Sequence, residues 1–234
     1  MKIGLFTDLH YNKAPEEGRK FTALAPARVK EAMEAFRKEK VDVAVCLGDI
    51  VDKAKTHEEE LSCWKEILSV IREYDFPCYF LPGNHDYEVM IGDEFCKTTG
   101  MPQYPFFADV AGRRLVFLDA CYLYNGKRYD EGGMIWTETM LPENQEVFLQ
   151  KTLEESPLPC VVFTHQNFDK FLPKEYHIKH CRKLRRIMKK SGKVKFSFSG
   201  HFHAGDDHEI GGVRYVTVPS MTDTEANNYM IMEV

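Results

Sequence analysis

The sequence predicts an α/β fold. Short apolar runs alternate with amphipathic segments through the first half of the chain, and further apolar runs follow one another closely at its end. Hydrophobic residues make up 44% of the 234, enough to bury a sizeable core. Strands alternating with helices argue for a parallel sheet, and the closing run of strands argues for an antiparallel addition.

The elements follow in order. Lys2–Thr7 reads as a buried strand. Pro26–Glu39 reads as a helix, with Val29, Ala32, Met33 and Phe36 spaced i, i+3, i+4, i+7. Val41–Leu47 is a second strand. Thr56 and Glu59 form a capping-box pattern ahead of a helix whose stripe is Leu61, Trp64, Ile67, Leu68 and Ile71. Cys78–Leu81 is a third strand, and Phe106–Leu118 reads as two strands joined near Gly112. Pro142 opens a helix to about Leu153, since a first helical turn tolerates proline. Cys160–Thr164 is the next strand, and a helix is expected over Lys174–Lys190. Strands at Lys195–Ser199, Val213–Val218 and Tyr229–Val234 close the chain, the last ones expected to be antiparallel.

Composition narrows the class. No apolar run approaches the ~18 residues that cross a bilayer. Ile3–Thr7 is too short for a secretory leader, and Asp8 ends it. The net charge of −5, from 31 basic and 36 acidic residues, gives no general reason to bind nucleic acid or an anionic membrane. Seven cysteines stand singly, at 46, 63, 78, 96, 121, 160 and 181, with no Cys-x-x-Cys pair. Such a pattern suits reduced thiols in a cytoplasmic protein. With no repeat or linker in view, one domain is expected over 1–234.

The chemistry sits where the strands stop. The first runs into Asp8-Leu9-His10 and the second into Gly48-Asp49-Ile50-Val51-Asp52. The third runs into Gly83-Asn84-His85-Asp86, and later ones into His165 and into Gly200-His201-Phe202-His203. Five of the nine histidines (10, 85, 165, 201 and 203) fall at such ends. A lone histidine there is ordinarily a hydrogen-bonded structural residue, but coincidence of position argues otherwise. In α/β sheets, ligands bind beyond the carboxyl ends of the strands. The i, i+2 pairs Asp8/His10 and His201/His203 would each share a face of an extended segment. Asp8, His10, Asp49, Asn84, His165, His201 and His203 supply seven nitrogen or oxygen donors. That is too many for one tetrahedral ion and suits two ions sharing a carboxylate. Two ions ~3.5–4 Å apart can hold an attacking hydroxide and clamp both oxygens of a displacement at phosphorus.

Asp8-x-His10, Gly48-Asp49-x-x-Asp52, Gly83-Asn84-His85-Asp86, His165 and Gly200-His201-x-His203, in that order, resemble the calcineurin-like metallophosphoesterase superfamily. The motifs span residues 8–203. The resemblance implies a four-layer α/β/β/α sandwich of two mixed sheets flanked by helices, with a dinuclear metal site at the C-terminal ends of strands. It implies Asp8, His10, Asp49 and His203 around one ion. Asp49, Asn84, His165 and His201 would surround the other, with Asp49 bridging. His85 is then the catalytic candidate that neutralises charge or protonates the leaving oxygen, with Asp52 fixing its tautomer. For Asp86, local hydrogen bonding that shapes the loop is the expectation. The glycines at 48, 83 and 200 are expected to permit tight turns and close backbone approach.

Lys53 and Asp86 stand where protein Ser/Thr phosphatases carry Arg and Glu. Asp52 stands where purple acid phosphatases carry a metal-binding Tyr, and His85 where the lipid A precursor diphosphatases carry Arg. The remaining likeness is to small bacterial enzymes similar to cyclic-nucleotide phosphodiesterases. The expected activity is hydrolysis of a phosphate ester, foremost a nucleotide-type phosphodiester, by a metal-bridging hydroxide attacking phosphorus. A phosphomonoesterase, a nucleotide pyrophosphatase and a non-catalytic scaffold of the same fold are the alternatives. Mixed nitrogen and oxygen donors leave manganese, iron and zinc open. Tyr11–Leu24, Tyr87–Pro105 and Tyr122–Met140 are the expected substrate loops. Tyr122, Tyr124, Tyr129 and Trp136 in the last serve either to stack a base or to pack the domain edge. The basic run 179–195 reads as the solvated face of a helix whose inner stripe is Cys181, Leu184, Ile187 and Met188, the alternative being a patch that steers anionic substrates or a nucleic-acid strand toward the metals. The expected partner is a small phosphorylated substrate. Oligomeric state is not legible in one chain.

Overall fold

The helices declare their ends locally. In the computed structural model of the chain, which describes residues 1–14 and 21–234, α1 (Ala25–Glu39) carries Pro26 in its first turn and stops where Lys40 turns left-handed, at φ 54°. Helix α2 (His57–Ile71) starts with the Thr56/Glu59 capping box, worth about 1 kcal/mol. Strand β1 (Lys2–Phe6) precedes them, β2 (Val43–Cys46) runs between them and β3 (Cys78–Phe80) follows. Short helices α3 (Asp86–Val89) and α4 (Glu94–Thr99) follow, then β4 (Phe106–Val110), β5 (Arg113–Phe117) and α5 (Tyr129–Gly132). Next come α6 (Glu143–Glu155), β6 (Cys160–Phe163), a 3₁₀ turn at Lys174–Tyr176 and α7 (Cys181–Ser191). Strands β7 (Val194–Ser199), β8 (Asp206–Ile210), β9 (Val213–Thr217) and β10 (Met230–Glu233) close the chain.

The strands form two mixed sheets, in the orders β10-β1-β2-β3 and β4-β5-β6-β7-β9-β8. Period-2 alternation assigns their faces. Ile3, Leu5, Val43, Val45, Leu115, Phe117, Val161 and Phe163 point between the sheets. Phe6, Ala44 and Cys46 point instead to α1 and α2, where Met33, Phe36, Trp64 and Ile67 meet them. On the far side Val116 and Val162 meet Leu149 and Leu153 of α6 and Leu184 and Met188 of α7. Three apolar seams therefore separate four layers, helix–sheet–sheet–helix. No helix among the described residues is long and apolar enough to cross a membrane.

Three expectations need correction. The helix expected over Lys174–Lys190 begins only at Cys181, because His177 and Lys179 make strand-like bridges to Asn167 and Met140 and His180 is left-handed, at φ 62°. Strand β9 is antiparallel to β8 but parallel to β7, whereas β10 runs antiparallel to β1 as expected. Strand β8 was not anticipated, since Asp-Asp-His-Glu-Ile at a sheet edge carries no apolar run.

The basic helix α7 packs through Leu184 and Met188 while Arg182, Lys189 and Lys190 face solvent. Lys183 pairs with Glu146 of α6. All seven cysteines are free thiols.

Candidate metal centre

The loops after β1, β2, β3, β6 and β7 converge at one end of the paired sheets. They are pinned to one another: Asp8 N donates to Gly48 O, His10 N to Asp49 O and Gly200 N to His165 O, each at 3.0 Å. Asp8, His10, Asp49 and His201 have φ between 44° and 67°, four of the seven left-handed non-glycine residues among those described. Such conformations cost on the order of 1–3 kcal/mol each and persist where surroundings over-determine them. Asp86 does much of that work, accepting the N–H groups of Asp49, Ile50 and Gly83, each at 2.9 Å. This is the loop-shaping role expected of it. A Cβ on Gly83 would stand 2.2 Å from Asp49 Oδ1, and one on Gly200 2.2 Å from Thr7 Oγ1, so neither position admits a side chain unless the loops part.

All seven donor residues expected from the sequence meet here, in two groups. Asp8, His10 and His203 offer atoms within 4.8 Å of one another, and so do Asp49, His165 and His201. Asn84 joins the second group, with Oδ1 3.2 Å from His165 Nε2. The same-face argument fails for His201 and His203: left-handed His201 is not extended, and the two histidines serve different groups. Asp49 stands between the groups. Its Oδ1 accepts the His85 N–H at 2.8 Å, while Oδ2 lies 3.3 Å from His165 Nε2 and 3.8 Å from His10 Nε2.

The outer nitrogens decide what the inner ones are. His10 Nδ1 meets Asp52 Oδ1 at 2.7 Å, His203 Nδ1 meets Asp223 Oδ2 at 3.0 Å, and His165 Nδ1 donates to the Leu47 carbonyl at 2.7 Å. Each of these partners only accepts, so each Nδ1 carries the proton and each Nε2 turns inward. His10 Nε2 and His203 Nε2 then face one another at 3.1 Å, and His165 Nε2 faces an amide oxygen. Acceptors so placed need a positive charge between them. Donors sharing a divalent ion with bonds of about 2.0–2.2 Å stand about 2.8–3.6 Å apart, which fits these separations. Asp8 Oδ1 and His201 Nε2 are buried without a hydrogen-bond partner among the described residues.

The electrostatics agree. Burial opposes charge on His165 and His203, yet Asp49 for the first and Asp223 and Asp8 for the second outweigh it, pushing them up to about 9 and about 10. Asp8 and Asp49, though buried, are held well below the carboxylate range by the surrounding histidines. His201 is pushed down to about 3 by burial and by the charge of His165. The pocket is a well for cations, and its residues fit two of them.

His85 lines the same cavity, its ring edge-on to His10 with centroids 4.9 Å apart. Asp52 lies nearer His10 than His85: its Oδ1 is 2.7 Å from His10 Nδ1 and 3.5 Å from His85 Nδ1. Glu88 is closer to His85, at 3.0 Å, and stands one helical turn along, a spacing that was readable in the sequence. Asp223 had no comparable signal. It sits in a segment fixed by buried Arg28, which donates to the carbonyls of Met221, Thr224, Glu225 and Ala226.

Among the described residues of the expected substrate loops, only Trp136 of the third lines the cavity. Tyr11 and Tyr129 are packed inside, Tyr124 lies under Lys179, and residues 15–20 of the first loop lie outside the described residues. Tyr176, Phe202 and Asp223 line the cavity unannounced by any loop assignment.

The calcineurin-like phosphoesterase family model matches residues 1–205. The chain belongs to that family. It is 22% identical over 190 residues to the 3',5'-cyclic adenosine monophosphate phosphodiesterase CpdA of Escherichia coli, covering 80% of this chain and 64% of that protein. It is 27% identical over 183 residues to a protein of Fibrobacter succinogenes named probable cyclic nucleotide phosphodiesterase, covering 75% and 64%. The chain thus spans less than two thirds of the length of these relatives. A dimetal phosphatase from Danio rerio superposes with a TM-score of 0.84 at 14% identity, over 98% of this chain and 91% of that one, and so shares the fold.

Proposed function

We propose that the chain is a dinuclear-metal phosphohydrolase whose substrate is a small phosphodiester of nucleotide type. The facing lone pairs carry this reading: His10 Nε2 against His203 Nε2, and His165 Nε2 against Asn84 Oδ1, with Asp49 Oδ2 between the groups. Asp8, His10, Asp49 and His203 would hold one divalent ion, and Asp49, Asn84, His165 and His201 the other. Ions bound there would supply Lewis-acid charge at phosphorus and a hydroxide at neutral pH. Manganese, iron and zinc all accept this donor set.

The chain's own groups do the rest. His85 is the catalytic acid of this reading: with Nδ1 held by Glu88, Nε2 is free to give a proton to the leaving oxygen. Asp52 keeps His10 in the tautomer that turns Nε2 inward and adds negative charge beside His85. A cavity of about 360 Å³ suits a small molecule rather than a nucleic-acid strand, and the basic face of α7 contributes none of its lining. The nucleotide preference draws on the named activities of the two sequence relatives. One domain carries the whole site, and seven free thiols suit the cytoplasm.

The test is elemental analysis joined to an ester screen. Two ions per chain, hydrolysis of bis(4-nitrophenyl) phosphate ahead of 4-nitrophenyl phosphate and pyrophosphate, and loss of activity on chelation are expected. His85→Ala should keep its metal and lose roughly 10²–10⁴-fold in kcat. A protein that takes up no metal would overturn the reading, and full activity in the His85 variant would remove that residue's role.

A further inference from the structure

One wall of the cavity is aromatic. Trp136, from the loop between α5 and α6, meets Tyr176 of the 3₁₀ turn at a centroid distance of 5.3 Å. Both stand edge-on to His201, at 5.7 and 5.4 Å, and Phe202 backs Tyr176 at 4.9 Å. The lining also holds His203 and Asp223, an imidazole and a carboxylate that pair with each other. Three separate segments thus bring rings together about His201.

Packing does not explain the wall. Trp64, the other tryptophan, is fully buried, and Tyr129 of the neighbouring helix is enclosed with its hydroxyl donating to the Glu138 carbonyl. Trp136 is 39% exposed beside a charged, polar site, with Tyr176 tilted at 47° against it. An indole left open there exposes apolar surface to water until something flat covers it.

We propose that Trp136 and Tyr176 form the subsite for the nucleobase of a nucleotide ester whose phosphate sits over Asp49 and His201. The proposal rests on the phosphodiesterase reading and sharpens it, because it says which part of the substrate confers preference. Ring-on-base stacking tolerates any base, so the subsite selects for a base and discriminates weakly among bases.

Two esters with the same leaving group test it: thymidine 5'-(4-nitrophenyl) phosphate and methyl 4-nitrophenyl phosphate. The native chain should favour the thymidine ester. Trp136→Ala and Tyr176→Ala should each shrink the ratio of the two kcat/KM values about tenfold, and Trp136→Phe should restore most of it. Ratios unchanged in both alanine variants would overturn the subsite. A second readout needs no turnover. With Trp64 buried, quenching of the accessible fluorescence reports Trp136, and adenosine 5'-monophosphate should quench it where ribose 5-phosphate does not. Hydrolysis of neither ester would fell the phosphodiesterase reading, while quenching by the adenosine nucleotide alone would still uphold the subsite. Equal quenching by the two compounds, or none, would overturn it.

Discussion

The two halves of the centre are built by different means. At the half formed by Asp8, His10 and His203, carboxylate side chains steady the imidazoles: Asp52 behind His10 and Asp223 behind His203, whose side chain is 30% exposed. At the half formed by Asn84, His165 and His201, all three side chains are buried, and a main-chain carbonyl, that of Leu47, steadies His165. Asp223 and Asp8 push His203 up to about 10; in the second half Asp49 pushes His165 up to about 9, while burial and the charge of His165 push His201 down to about 3. Both kinds of backing raise ligand basicity, but a carboxylate lies open to side-chain change and a main-chain carbonyl does not. The first half is adjustable and the second is fixed by the fold.

The largest effect is expected where the halves join. Asp49→Asn should remove at least one ion per chain and reduce turnover to background, read by elemental analysis beside a diester assay. Retention of both ions would show that the halves do not share this carboxylate.

Next in size are the backing residues. Asp52→Asn and Asp223→Asn should each weaken one ion by about 10–100-fold and leave the second in place, as seen in a chelator-competition titration. Equal loss of both ions would erase the distinction between the halves.

The smallest effect concerns proton linkage in the metal-free chain. His85, His165 and His203 keep protons up to about 9, 9 and 10 in the fold. Unfolded imidazoles release theirs near 6.5. The folded state therefore holds more protons between these values, and stability must fall as pH rises from about 6.5 towards 10. Metal replaces those protons, so loaded protein should show a flatter profile of denaturation midpoint against pH. Parallel profiles for the two forms would contradict the proposed occupancy.

What the sequence made legible was whatever repeats locally. Apolar runs ending in Asp8, Asp49, Asn84, His165 and His201 marked strand ends, and Thr56 with Glu59 marked a helix start. The division into two sheets was not in those patterns; it came only as an implication of the motif order. Asp223 and Tyr176 stayed hidden because each reaches the cavity through tertiary contacts, Asp223 from a segment held by Arg28 and Tyr176 from a single 3₁₀ turn. Asp52 was placed beside His85, and distance gives its stronger contact to His10. Alternating polar residues at an edge hid β8, and left-handed His180 broke a helix that composition alone would have continued.

The pairing of β1 with β10 bears on how the site forms. Asp8 precedes every other ligand candidate in the sequence, yet Ser220 and Thr222 donate to its carbonyl, and a strand from residues 230–233 flanks the one that leads to it. Contacts so distant along the chain form late, because loop entropy is lost before they reward it. The Asp8 loop is therefore held only once residues 220–233 have docked, so a site able to grip an ion follows the closing of β10 on β1.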